Sequence, residues 1–490
     1  MPEWLQNFAP ILLLLAVVAV VIVRLPKVEG VAHDRAYRMR RVANWLPLGL
    51  TYAFLYMGRY NLKVSEMTLG DIQGPSGAPL MSNADFGVMF GVGTATYGCA
   101  FLLNGPLTDR FGGKKAIVLG ALGAALANLA MGLVTHQVVN GTALGATFAQ
   151  HFLVLFSVLY AANMYFQAFG AVAVVKVNAP WFHVRERGVI GAIFGILISL
   201  GLYFAYDVGY MILKAWPLEW VFLTPALLLL VFTAINGALV QDSPSKAGLK
   251  DFDTGDATED GPRLGVVAVF KKMLTNPIIL TIAFIEFCSG FLRQAVMQWF
   301  RTFAKQTDAV LGLKDSFVYE NWGMLLCVCG ILGGVLAGVI SDHLFQSRRG
   351  PVAAILYGGM LLGTLVLTFT YTTPAFVGPT VLLLSTLIIG VHGMLSGTAS
   401  MDFGGKHNTG VAVGIIDGFV YAGTAVMSFT YAIILPETQL DANGKIIGDS
   451  LDPANWLGWP VAMIPFALVG LVLSTRVWNA RPRGASVAAH

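Results

Sequence analysis

The stretch Gly105-Pro106-Leu107-Thr108-Asp109-Arg110-Phe111-Gly112-Gly113-Lys114-Lys115 closes one apolar block, and Gly338-Val339-Ile340-Ser341-Asp342-His343-Leu344-Phe345-Gln346-Ser347-Arg348-Arg349-Gly350 closes another. Both run glycine, aspartate, then a basic pair. Asp109 and Asp342 lie 233 residues apart, while Arg59 and Arg293, each inside the preceding apolar block, lie 234 apart. Two unrelated markers that keep one register across half a chain indicate an internal duplication.

Around these markers the sequence alternates apolar blocks with short polar joints. Of 490 residues, 56% are hydrophobic and 12% charged, where a soluble domain carries about a quarter charged residues. Blocks near 45–68, 85–107, 115–135, 148–178, 188–210 and 218–240 make a first six, and 276–303, 319–341, 351–372, 376–400, 409–434 and 456–478 a second. Each is about the 20 residues a helix needs to cross a bilayer. Between them, 242–273 holds Ser243-Pro244-Ser245 and the acidic run Asp251, Asp253, Asp256, Glu259, Asp260, which reads as a solvated linker. The expected organisation is all-α and polytopic: a first half over 42–241, a linker over 242–273 and a second half over 274–480.

Residues 4–23 are also apolar, but Arg24 and Lys27 follow the run, so a retained anchor helix over 1–30 is expected and not a cleaved signal. Arg35, Arg38, Arg40 and Arg41, then Arg110, Lys114 and Lys115, then Arg348 and Arg349, mark cytoplasmic ends by the positive-inside rule. The acidic segment 437–452 falls outside by alternation. This places the C-terminus in the cytoplasm and the N-terminus outside, in a bacterial inner membrane.

An arginine within a span costs several kcal/mol unless it faces a cavity or a partner, which makes Arg59 and Arg293 informative. Equivalent positions in two halves face each other across a pseudo-two-fold axis, where two guanidinium forks can hold one phosphate. The alternative is neutralisation by a carboxylate, and Glu286 lies seven residues before Arg293. Lys63, four residues beyond Arg59, has three open readings: a third positive group, a partner for Glu66, or a snorkelling side chain. Lys176 either faces the cavity or sits at the cytoplasmic edge. Tyr56, Tyr60, Gln294, Gln298 and His392 are candidate donors to a substrate, though interhelical hydrogen bonding is the first reading of each, and Asp417 is a buried-carboxylate candidate for the lining. Asp109, Arg110, Lys114, Asp342, Arg348 and Arg349 read as gating latches at helix ends. Cys99, Cys288, Cys327 and Cys329 all lie in apolar blocks, and neither a disulfide, a metal nor a cofactor is expected. A net charge of +4 without a basic aromatic patch speaks against nucleic acid. No phosphate loop or nucleophile elbow suggests an enzyme.

In order, Arg59-Tyr60-Asn61, the Gly105 to Lys115 loop, Lys176 with Trp181-Phe182 and Glu186-Arg187-Gly188, Asp242-Ser243-Pro244-Ser245, Phe291-Leu292-Arg293 with Trp299, Ser341-Asp342 through Arg349-Gly350, and Asp402 to Lys406 with Gly410, Gly414 and Tyr421 resemble one family over about 45–478. It is the organophosphate:phosphate antiporters of the major facilitator superfamily. The resemblance implies two six-helix halves, exchange of a phosphate ester for inorganic phosphate by rocking alternating access, and Arg59 and Arg293 as the substrate arginines. The expected partners are small phosphate-bearing anions, inorganic phosphate and the bilayer, and a monomer is expected. The chain departs from the glycerol-phosphate carriers at Phe101, where they have a lysine, and at Pro180, where they have a histidine. Lys63 could replace the missing charge from another helix, which fits a different ester or a more acidic substrate. Two other functions stay open: a membrane sensor of a sugar phosphate, and a proton-coupled organic-anion symporter in which Glu286 or Asp417 titrates.

Overall fold

The computed structural model describes residues 34–183, 186–254, 271, 274–345, 348–395, 409–441 and 446–479. The leading helix expected over 1–30 lies outside the described residues. We number the long helices in chain order: α1 Arg35–Gly70, α2 Asn83–Phe111, α3 Gly113–Val139, α4 Phe152–Asn178, α5 Arg187–Tyr203, α6 Trp220–Leu239, α7 Pro277–Gln306, α8 Trp322–Val339, α9 Arg349–Thr370, α10 Pro374–His392, α11 Thr409–Ile434 and α12 Met463–Arg476. They form two six-helix halves. Among the described residues, ten helices are long and apolar enough to cross a membrane. In hydrocarbon every backbone N–H and C=O must be satisfied within the chain, and helices do this segment by segment.

Helix ends are set by local chemistry. Asp34 caps α1 by accepting from the Tyr37 amide at 2.6 Å, and Ser82 with Asp85 forms a capping box on α2. Asn276 caps α7, whose first residue is Pro277. Gly112 joins α2 to α3 at a φ of 90°, a conformation glycine adopts at little cost. Beyond it, Asp242 of the linker accepts from the Lys114 amide at 2.7 Å, placing a carboxylate at the positive end of α3.

Helix α1 starts ten residues before the apolar block that predicts it, because its charged first turns find partners. Arg41 is 6% exposed and binds Glu186 at 3.1 Å, Arg40 donates to the Leu239 carbonyl, and the Tyr37 hydroxyl donates to the Trp181 carbonyl. Helix α5 runs on through a π-turn, Phe204–Val208, into Gly209–Ala215. Such turns shift the face that later residues present. Here the shift brings Asp207 onto the other half.

The halves meet along α2 with α11 and α5 with α8. Gly87 lies against Ala432 and Ser428, Gly91 against Phe429, and Gly98 against Gly418 and Tyr421, so backbones approach where side chains are smallest. Between α5 and α8, the Asp207 carboxylate accepts from the amides of Gly323 at 2.9 Å and Met324 at 2.7 Å.

Candidate functional site

Arg59, fully buried in α1, is held on three sides. Its Nε donates to Gln167 of α4 at 3.0 Å, one Nη to Tyr97 of α2 at 2.8 Å, and the other Nη to Tyr421 of α11 at 2.7 Å. The guanidinium also lies 4.5 Å from the Tyr56 ring and 4.4 Å from the Tyr97 ring. Every direct acceptor is neutral, and among the described residues no carboxylate lies within ion-pair distance.

An amide ladder fixes this geometry from behind. Gln167 donates to Asn163, Asn128 donates to Asn163, and Asn61 donates to Asn128, all buried within the first half. The Tyr160 hydroxyl donates to the Arg59 carbonyl and Asn163 to the Gly58 carbonyl. Of these amides the Asn61 Oδ1 alone lacks a partner, and a network so nearly satisfied rigidifies a buried site.

Arg293 lies on α7. Its Nε is buried without a hydrogen-bond partner, and the ionisable groups near it are Tyr421, Tyr60, Tyr56 and Glu286. Glu286 is not its direct partner: the carboxylate binds His392 Nδ1 at 2.8 Å. Tyr421 lies within the field of both arginines, and its hydroxyl already accepts from Arg59. The structure therefore gives two cations on equivalent helices, Arg59 buried and Arg293 partly so, neither bonded to a carboxylate among the described residues and both within electrostatic reach of the Tyr421 phenol.

The other predicted residues divide by position. Tyr56 and Tyr60 line the same region, and Gln298 donates to Gln294, which donates to the Tyr60 hydroxyl across the halves at 3.2 Å. Asp417 sits one turn before Tyr421 on α11, half-buried, and acts on Tyr97 and Tyr421. Lys63 is bonded to Glu66 and to Thr302 of α7, with Phe86 and Trp299 rings beside it. Lys176 lies nine residues beyond Gln167 on α4, about 14 Å along the axis. There it pairs with Asp109 at exposed positions, away from Arg59.

The two ends of the molecule differ. At the Asp71 end, polar bonds join the halves: Lys305 to Asp71 at 2.7 Å, Gln306 and Asn83 to each other, Asn83 to the Pro436 carbonyl at 2.8 Å, and Glu66 to Thr302. At the Asp109 end, bonds among the described residues stay within a half. Asp109 pairs with Lys176, Arg349 donates to Ser341 at 2.7 Å, and Arg348 donates to the Phe345 carbonyl. Arg110 is exposed in the last turn of α2 and Lys114 opens α3. The side chain of Asp342 lies outside the described residues.

Sequence reasoning missed Tyr97, Gln167, Asn163, Asn128, Asp207 and Arg301. The amides carried a readable signal, since Asn61, Asn128, Asn163 and Gln167 are polar groups inside apolar blocks.

The profile of the Major Facilitator Superfamily matches residues 48–428. A glycerol-3-phosphate transporter from Bacillus subtilis (strain 168) is 24% identical over 474 residues, covering 93% of this chain and 96% of that protein. The membrane sensor protein UhpC from Escherichia coli (strain K12) is 24% identical over 426 residues, covering 82% and 88%. Among solved structures, an inward-facing, unoccupied bacterial homolog of the human lysosomal transporter Spinster superposes with a TM-score of 0.63 at 11% identity, covering 93% of this chain and all of that one, a likeness of fold. With its duplicated six-helix halves and a profile match over most of its length, the chain belongs to the Major Facilitator Superfamily.

Proposed function

We propose that this chain exchanges a phosphate ester for inorganic phosphate, with the phosphate held between Arg59 and Arg293. The observation that carries the reading is the pair itself: a buried guanidinium and a partly buried one on equivalent helices, bonded to no carboxylate among the described residues, the second with a buried Nε donor left over. A phosphate oxygen can take the place that the Tyr421 hydroxyl occupies against Arg59 while another meets the free Nε of Arg293. The name of the glycerol-3-phosphate transporter among the relatives supports a phosphate ester as substrate.

The cycle follows from charge. Two facing cations resist closure when empty, and a dianion between them removes that resistance, so the loaded protein rocks and the empty one stays. Exchange is then favoured over net transport. The cross-half bonds at the Asp71 end hold it shut, and they break when that end opens. Gln294, Gln298, Tyr56 and Tyr60 contact the ester's organic part. Lys63 becomes a third cation if it leaves Glu66, and His392 and Asp417 complete the lining. In this reading Lys176 serves the Asp109 end with Arg110, Lys114, Asp342, Arg348 and Arg349. The basic Asp109 end faces the cytoplasm of a bacterial inner membrane and the protein works as a monomer.

Uptake of radiolabelled phosphate into proteoliposomes preloaded with phosphate tests the proposal, with unlabelled esters as competitors. Rapid exchange, inhibited by the preferred ester, is expected. Binding without flux would instead support a sensor, a reading that the membrane sensor among the relatives favours. Uptake driven by a pH gradient into phosphate-free vesicles would support a proton-coupled carrier.

A further inference from the structure

Helix α7 carries a ladder of polar side chains beyond Arg293. Gln294, Thr302, Lys305 and Gln306 are each bonded to the first half. Arg301 differs. It is 7% exposed, its Nε has no hydrogen-bond partner, and among the described residues it forms no ion pair. Its guanidinium carbon lies 3.6 Å from the centre of the Tyr210 ring, from the first half, and 4.0 Å from that of Tyr319, from the second. Stacking occupies the faces of a guanidinium and leaves its in-plane N–H donors for a planar or tetrahedral oxyanion.

The nearby carboxylates are already engaged. Glu66 takes Lys63 and Thr302, and both oxygens of Asp207 accept backbone amides of α8. The Tyr210 hydroxyl, beside the same guanidinium, is also buried without a partner. Arg301 lies eight residues beyond Arg293 on one helix, about 12 Å toward the Asp71 end. Lys63 reaches the same level from α1, through its bond to the adjacent Thr302.

We propose that Arg301, with the Tyr210 hydroxyl, forms a second anion site on the path between the Arg59–Arg293 pair and the Asp71 end, which takes a phosphate-bearing anion when that end opens. This rests on the exchange reading above. An anion leaving the central pair would otherwise cross the seam against the paired carboxylates Glu66 and Asp71. The stacked arginine offers a stopping point held ready, its fork already ordered by two rings.

The test is sidedness. Phosphate exchange is measured in vesicles of known protein orientation, varying inorganic phosphate separately on the Asp71 face and the Asp109 face, for wild type, Arg301→Gln and Arg301→Lys. Loss of one charged hydrogen bond predicts a half-saturating phosphate concentration raised on the order of ten-fold from the Asp71 face for Arg301→Gln. From the Asp109 face it should stay within about two-fold. Arg301→Lys keeps the charge but loses the fork, and should show a smaller shift on the same face only. A change equal on both faces, or none, overturns the second site and leaves the central exchange standing. Absence of phosphate exchange in wild type instead removes the reading on which the site rests.

Discussion

Replacing Asp207 by Asn should open the Asp71 end. The carboxylate accepts two amide bonds from the start of α8, at 2.9 and 2.7 Å, and so ties the halves together there. Asparagine keeps one oxygen and turns an NH2 group toward the second amide, which leaves a buried N–H without an acceptor. Loss of one hydrogen bond to a charged group costs about 1.5–3 kcal/mol. Loss of the charge at a helix N-terminus adds about 0.3–1 kcal/mol. The closed form of this end is therefore destabilised by roughly 2–4 kcal/mol, a shift of at least about 30-fold in the ratio of open to closed. The assay is labelling of a single cysteine by a membrane-impermeant maleimide. Thr438 is 6% exposed in the seam and is a suitable site for Thr438→Cys, in a background where the exposed Cys99 is replaced. Asp207→Asn should accelerate labelling at least about ten-fold. Unchanged labelling by a folded variant would show that the α5–α8 bonds do not hold this end shut.

Two further outcomes follow from burial. Lys63→Met strands the Glu66 carboxylate, both partners being at most 3% exposed, and should lower stability by about 3–5 kcal/mol, while the added change Glu66→Gln restores most of it; thermal unfolding in detergent of the single and double variants measures this, and equal losses would refute the buried pair. Gly290→Ala places a Cβ 2.0 Å from the Val420 carbonyl oxygen of α11, a clash with backbone that no rotamer relieves, so the variant should be obtained in strongly reduced yield as monodisperse protein by size-exclusion chromatography. Normal yield and melting temperature would contradict the close α7–α11 packing.

How much of this was legible in the sequence depends on the range of the interaction that decides each feature. The twelve blocks, the duplication and the two arginines are local or periodic signals, since a charged residue in an apolar run stands out against its own neighbours. The start of α1 did not, because Arg40 and Arg41 look like a solvated flank until Leu239 and Glu186, far along the chain, are brought to them. Lys176 reads from the sequence either as a cavity residue or as an edge residue, because nothing local shows that the end of α2 delivers Asp109 to it. Lys63 left three readings open, and its bonds to Glu66 and Thr302 depend partly on a helix 239 residues away. Asp207 was silent because a π-turn rotates the face it presents, and that turn has no sequence marker here. Arg301 sits near a span end, where snorkelling would have explained it; two tyrosines from different halves give it another environment.

The account stands most directly on the central pair, and the decisive measurement is phosphate exchange by Arg59→Lys and Arg293→Lys in preloaded proteoliposomes. Lysine keeps the charge but cannot present a fork, so if both arginines hold phosphate, each variant should lose at least about 100-fold in exchange, the worth of about two charge-assisted hydrogen bonds, while remaining folded. Exchange near the wild-type rate in either variant would contradict a clamp between Arg59 and Arg293.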